Sequence, residues 1–153
     1  MVYGFYSDKD PMNLLKNRNI HNTCKTDYNC GGYALGTFSW YCPHSEKYHG
    51  YYDTYSEESL FEQVMGHVKI MLAEFPTLRI IYALEEASEN EEVIAFRLSN
   101  YDFHFMVRKA NKRWYHKRGS CPFIYSITEE EVFSDCWMPD YDSPIVLMAM
   151  KKD

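Results

Sequence analysis

The feature that most limits what this chain can fold into is a change of hydrophobic period at Pro76. Before it, Leu60, Phe61, Val64, Met65, Val68, Met71, Leu72 and Phe75 recur at helical spacing over 16 residues, and the proline ends the run. After it, residues 78–84, 93–98, 102–108, 113–117 and 145–150 read as strands separated by polar turns, which predicts an antiparallel sheet. Helices first and sheet second give an α+β class. With 153 residues and neither a repeat nor a linker, one core and a single domain over 1–153 are expected.

Residues 1–28 are polar and irregular apart from Pro11 and a short apolar stretch at 12–15, and read as an N-terminal arm. Asn29 has the side chain of a helix N-cap, so a short helix is predicted from Cys30 to about Phe38. Thr54 and Glu57 have the spacing of a capping box for the second helix, and Thr128 with Glu131 for a short one at 128–135. His67, beside the apolar stripe, reads as a surface histidine.

The formal charge of −6 argues against broad attraction to a phosphate backbone. Two local clusters oppose each other, six basic residues at 108–118 and five glutamates at 85–92. They read either as solvated loops or, at the basic hairpin, as a docking place for an anionic substrate. Five cysteines, an odd number, and a start without a basic-then-apolar leader fit a reducing cytoplasm, and no segment has the apolar length of a membrane span.

Chemistry concentrates at two places. Asn29-Cys30-Gly31-Gly32 puts a thiol at a helix N-terminus, where free amides and the helix dipole favour the thiolate and could hold an oxyanion. The alternative is a buried structural cysteine. In the strand at 102–108, Phe103, Phe105 and Val107 share one face and Asp102, His104 and Met106 the other. His104 is therefore the candidate base for Cys30. A three-residue hairpin loop with Asn111 in the left-handed region would set His104 opposite His116, close enough to orient it. A competing zinc reading draws on Cys24, Cys30, Cys42, His44 and His49, whose spacings lack the short paired knuckle of structural sites.

Asn29-Cys30 with Tyr33-Ala34, followed by Asp102-x-His104-Phe105-x-x-Arg108 and Trp114-x-His116-Lys117-x-Gly119, resembles uncharacterised bacterial and phage proteins carrying N-C-x-x-Y-A and D-x-H-W-x-x-R…W-S-H-K-P-G blocks. Those look related to the papain-like superfamily that includes NlpC-type cell-wall peptidases and CHAP amidases. Phe105, Tyr115 and Arg118 depart from the usual Trp, Ser and Pro, and Cys24 stands where papain has a glutamine. The resemblance implies a papain-like fold, N-terminal helices packed on an antiparallel sheet, with a Cys30–His104–His116 triad and Tyr28 as an oxyanion donor. Trp114, Lys112 and Arg113 are the candidate substrate contacts. The expected function is a cofactor-free cysteine hydrolase or acyltransferase, a peptidase or amidase, acting on an amide of a peptide or a host protein. The rival expectation is a phage or mobile-element binding protein that captures a host protein or ligand without turnover.

Overall fold

The structure, a computed structural model, describes residues 20–152. Seven strands dominate it: β1 (Ile20–Thr23), β2 (Leu78–Ile81), β3 (Glu91–Leu98), β4 (Phe103–Arg108), β5 (Trp114–Lys117), β6 (Phe123–Ile127) and β7 (Val146–Lys151). They form one sheet in the order β1-β6-β5-β4-β3-β7-β2, and every pairing is antiparallel. Helices are few: α1 (Cys30–Ala34), α2 (Leu60–Glu74) and α3 (Glu129–Val132), with a 3-10 turn at Leu84–Glu86.

This corrects the expected papain-like α+β fold of N-terminal helices packed on a sheet. Among the described residues only α2 is longer than five residues, and the sheet is wider than the sequence pattern indicated. The helix predicted to reach Phe38 stops at Ala34 because Gly36 and Phe38 take positive φ, 77° and 54°, which unwinds the chain into a turn. Part of the predicted irregular arm is strand β1, held by pairing with β6, although its own side chains are mostly exposed. The predicted apolar stretch at 12–15 lies outside the described residues.

The long helix is capped five residues later than expected. Ser59, not Thr54, is its cap, and Ser59 with Glu62 forms the reciprocal capping box. Its buried side is Gln63, Val64, His67, Val68 and Met71, while Leu60 and Phe61 remain exposed. His67, read as a surface residue, is fully buried. Thr128 and Glu131 do form a capping box, on the four residues of α3.

The sheet separates two cores. On one face Val64, Val68 and Met71 of α2 and Cys30, Tyr33 and Ala34 of α1 pack on Phe96, Phe103, Phe105 and Val107. On the other, Val93, Ala95, Met106, Trp114 and Tyr125 meet Val132, Trp137 and Tyr141 from the segment leading to β7. Strand alternation decides the assignment: odd positions of β4 enter the first core and even positions the second.

Candidate functional site

The glycines beside Cys30 make room for protein. A Cβ on Gly32 would stand 1.9 Å from the Ser39 carbonyl oxygen, and one on Gly31 would stand 3.0 Å from Tyr41 and 3.2 Å from Phe105. Asn29 completes the junction. Its Oδ1 accepts from the amides of Gly32 and Tyr41, both at 3.0 Å, and its Nδ2 donates to the Tyr41 carbonyl at 2.7 Å. The Asn-Cys-Gly-Gly run thus presses the start of α1 against β4 and the 39–41 turn.

Cys30 is 1% exposed, and burial, with the Asp102 charge adding to it, pushes its thiol up to about 12 despite hydrogen bonds to its sulfur from the Phe105 and Gly31 backbone. The thiol is therefore protonated near neutral pH. His104 points the other way, its ring against Tyr141 (5.3 Å between centroids), His116 (5.1 Å) and Trp137 (5.9 Å), all on the opposite face of the sheet. Its Nδ1 has no hydrogen-bond partner, so the sulfur does not engage it. The predicted Cys30–His104 couple is not formed, and α1 packs on the face that strand alternation denies to His104.

His104 and His116 do come together, with His104 Nε2 and His116 Nδ1 2.9 Å apart and one proton shared between them. The hairpin that achieves this differs in detail from the expected one. Lys112, not Asn111, takes positive φ (67°), and Lys109 N–H donates to the Arg113 carbonyl at 2.9 Å. The pairing becomes Arg108 with Trp114 and Val107 with Tyr115, two residues out of the predicted register. A shift of two preserves the face, so both imidazoles meet as diagonal neighbours. Burial pushes His104 down to about 3 and His116 well below its usual range, with Arg118 acting in the same direction on both. Both rings are neutral near pH 7.

The remaining predicted residues scatter. Tyr28 lies under the Lys117 ammonium, 4.8 Å from ring centroid to Nζ, with its hydroxyl engaged by the Cys24 thiol. Lys117, counted in the basic cluster, is fully buried and donates to the Gly119 carbonyl. Trp114 is buried and donates from Nε1 to Glu129 at 3.1 Å, while Lys112 and Arg113 are exposed at the rim of a shallow cleft beside it. Among the described residues no three His, Cys, Asp or Glu side chains are grouped to hold a metal, so the zinc ligand set is not assembled. No described helix is long and apolar enough to cross a membrane.

A different site emerges from the segment between α1 and α2. Residues 47–58, the start of α2 and Asn100 line a groove of about 660 Å³. Four tyrosines, Tyr48, Tyr51, Tyr52 and Tyr55, enter its wall, with Asp53 and Glu58 as the acidic groups and Lys47 paired to Glu58 at 3.0 Å. The strand-free loop is pinned from beneath. Gln63 accepts from Asp53 N–H at 2.7 Å and donates to the Asp53 and Glu58 carbonyls. His67 Nε2 accepts from Gly50 N–H at 3.0 Å, which leaves Nδ1–H to donate to the Gln63 carbonyl at 2.6 Å. Tyr52 N–H donates to the Ser99 carbonyl at the β3–β4 turn. Gly66 lets the Tyr48 ring lie on α2, since a Cβ there would come within 2.2 Å of it. Gln63 and His67 were thus the hidden members of the site. Two polar residues one turn apart on an otherwise apolar helix face were the signal that could have found them.

No family model matches the chain, and no match is found among curated proteins or solved structures.

Proposed function

We propose that the protein is a binding module that acts without turnover, taking a cationic segment of another protein into the tyrosine-lined groove. The observation that carries this reading is a preformed loop that holds Tyr51 (40% exposed) and Tyr55 (94% exposed) toward solvent while Gln63 and His67 fix its backbone from below. Tyrosine supplies large, stiff contact area at small entropic cost, and a pinned loop has already lost the freedom that binding would otherwise remove. Asp53 and Glu58 outnumber Lys47 in the wall, and the whole chain carries −6, so a lysine or arginine side chain is the complementary partner chemistry. Thiol catalysis has less behind it: the sulfur is protonated, enclosed and out of contact with either imidazole.

Fluorescence anisotropy with labelled short peptides tests the proposal, comparing lysine- and arginine-containing sequences with their glutamate counterparts. The basic peptides should bind more tightly, and the Tyr51→Ala/Tyr55→Ala double variant should weaken them about tenfold, or roughly 1.4 kcal/mol, without a change in melting temperature. Cys30→Ala should leave binding intact. Equal affinity for basic and acidic peptides, or no loss in the double variant, refutes it.

A further inference from the structure

The second core holds a group that an apolar interior does not tolerate alone. Arg97 is 6% exposed and sits directly opposite His104 in the β3–β4 register, so the two side chains share a face about 5 Å apart at Cβ. Its guanidinium lies on the Trp137 ring, 5.2 Å from Cζ to centroid, and His104 meets the same ring edge-on. One nitrogen, Nη2, donates to the Ser134 carbonyl at 2.9 Å. Nε and Nη1 are buried without a partner, as is Nδ1 of His104 across the register pair. Among the described residues no carboxylate lies within ion-pair distance of Arg97, although Asp135 and Asp142 are near enough to be felt.

Buried guanidinium is charged at any accessible pH, and leaving two of its three nitrogens without an acceptor is strongly unfavourable. Three unpartnered nitrogens on two adjacent residues therefore demand oxygen acceptors. We propose that Arg97 and His104, beneath Trp137 and Tyr141, form a binding site for a small oxyanion, a carboxylate or a phosphate. The His104–His116 contact supplies the matching proton. If His116 Nδ1–H donates to His104 Nε2, neutral His104 carries its proton on Nδ1, which becomes a donor to the anion beside the guanidinium. His116 thus acts as a positioning residue that selects the tautomer. The site is independent of the tyrosine groove and uses none of its residues.

The test titrates the full-length protein near neutral pH with acetate and, separately, inorganic phosphate, with chloride holding ionic strength constant. Melting temperature is followed alongside the imidazole nitrogen resonances of selectively labelled histidine. Acetate or phosphate should raise the melting temperature where chloride does not, and should shift the resonance of His104 Nδ1, already in its protonated form, as its N–H gains an acceptor. A response to acetate alone identifies a carboxylate site, and one to phosphate alone a phosphate site. Arg97→Lys, which keeps the charge and loses the planar donor set, should weaken the response about tenfold. Stabilisation by chloride equal to that by both oxyanions, or a His104 Nδ1 resonance that neither moves, overturns the proposal. The wild-type resonance decides even where the variant fails to fold.

Discussion

The two faces of the sheet bury very different material. The face under α1 and α2 is packed with aromatic and aliphatic side chains, Phe96 against Phe105 at 4.8 Å and Val64, Val68 and Met71 above them, with His67 fully satisfied at the margin. The face under residues 132–143 encloses Arg97, His104 and His116 among Trp137, Tyr125 and Tyr141, and leaves three nitrogens without partners. Apolar packing accounts for most of the first face, and its buried lysine, Lys117, is satisfied by the Gly119 carbonyl and the Tyr28 ring. On the second, polar groups are kept out of water at a cost to stability, and the unpaired ones point to a ligand.

Three experiments would sharpen or break that contrast. The largest effect belongs to the first face: Phe96→Ala should destabilise the fold by about 3–5 kcal/mol, since the side chain is wholly buried and its neighbours are held by β3, β4 and α2. Chemical denaturation measures it, and a loss under 1 kcal/mol would mean that this core is looser than its packing implies. Next comes acid sensitivity of the second face. His104 and His116 are neutral when folded because burial depresses both, whereas their unfolded forms take up protons below about pH 6.5. Stability is therefore fully present above pH 6.5 and declines as pH falls, by about 1.4 kcal/mol per pH unit for each ring. His67, also depressed by burial, adds a loss of the same sign from the first face. Unfolding free energy that is flat between pH 7 and pH 5 would contradict buried neutral imidazoles. The smallest effect is one of rate: an alkylating agent at neutral pH should label exposed Cys42 first and enclosed Cys30 last. Preferential labelling of Cys30 would restore the activated-thiol expectation.

Much of the sheet was legible in the sequence. Strands β3, β4, β5 and β7 fall within a residue or two of their alternating runs because each buries at least one face. β1 was not, since His21, Asn22 and Thr23 are exposed and the strand exists through its pairing with β6. β6 itself hides between Pro122 and Thr128, apolar on both faces, with Ile124 in one core and Phe123, Tyr125 and Ile127 in the other, so no alternation stands out. The cap of α2 was misplaced because Thr54 and Ser59 both satisfy the same pattern and only the Gln63 contacts to Asp53 and Glu58 choose between them. The face of His116 was right for a reason more robust than the register, since hairpins whose registers differ by two residues present the same side chains. The error about Cys30 was avoidable from sequence. A helix buries its apolar side against the most apolar face of a sheet, and alternation had already placed His104 on the other one.

The final strand has consequences for assembly order. β7 lies between β3 and β2, and among the described residues β2 has no other partner in the sheet. Residues 78–81 must therefore wait for residues 146–151, nearly seventy positions later, before any of their ladder can close. Closing so long a loop exacts its entropy before the contacts return anything, so the fold should be reached late and cooperatively, with the C-terminal strand acting as a keystone.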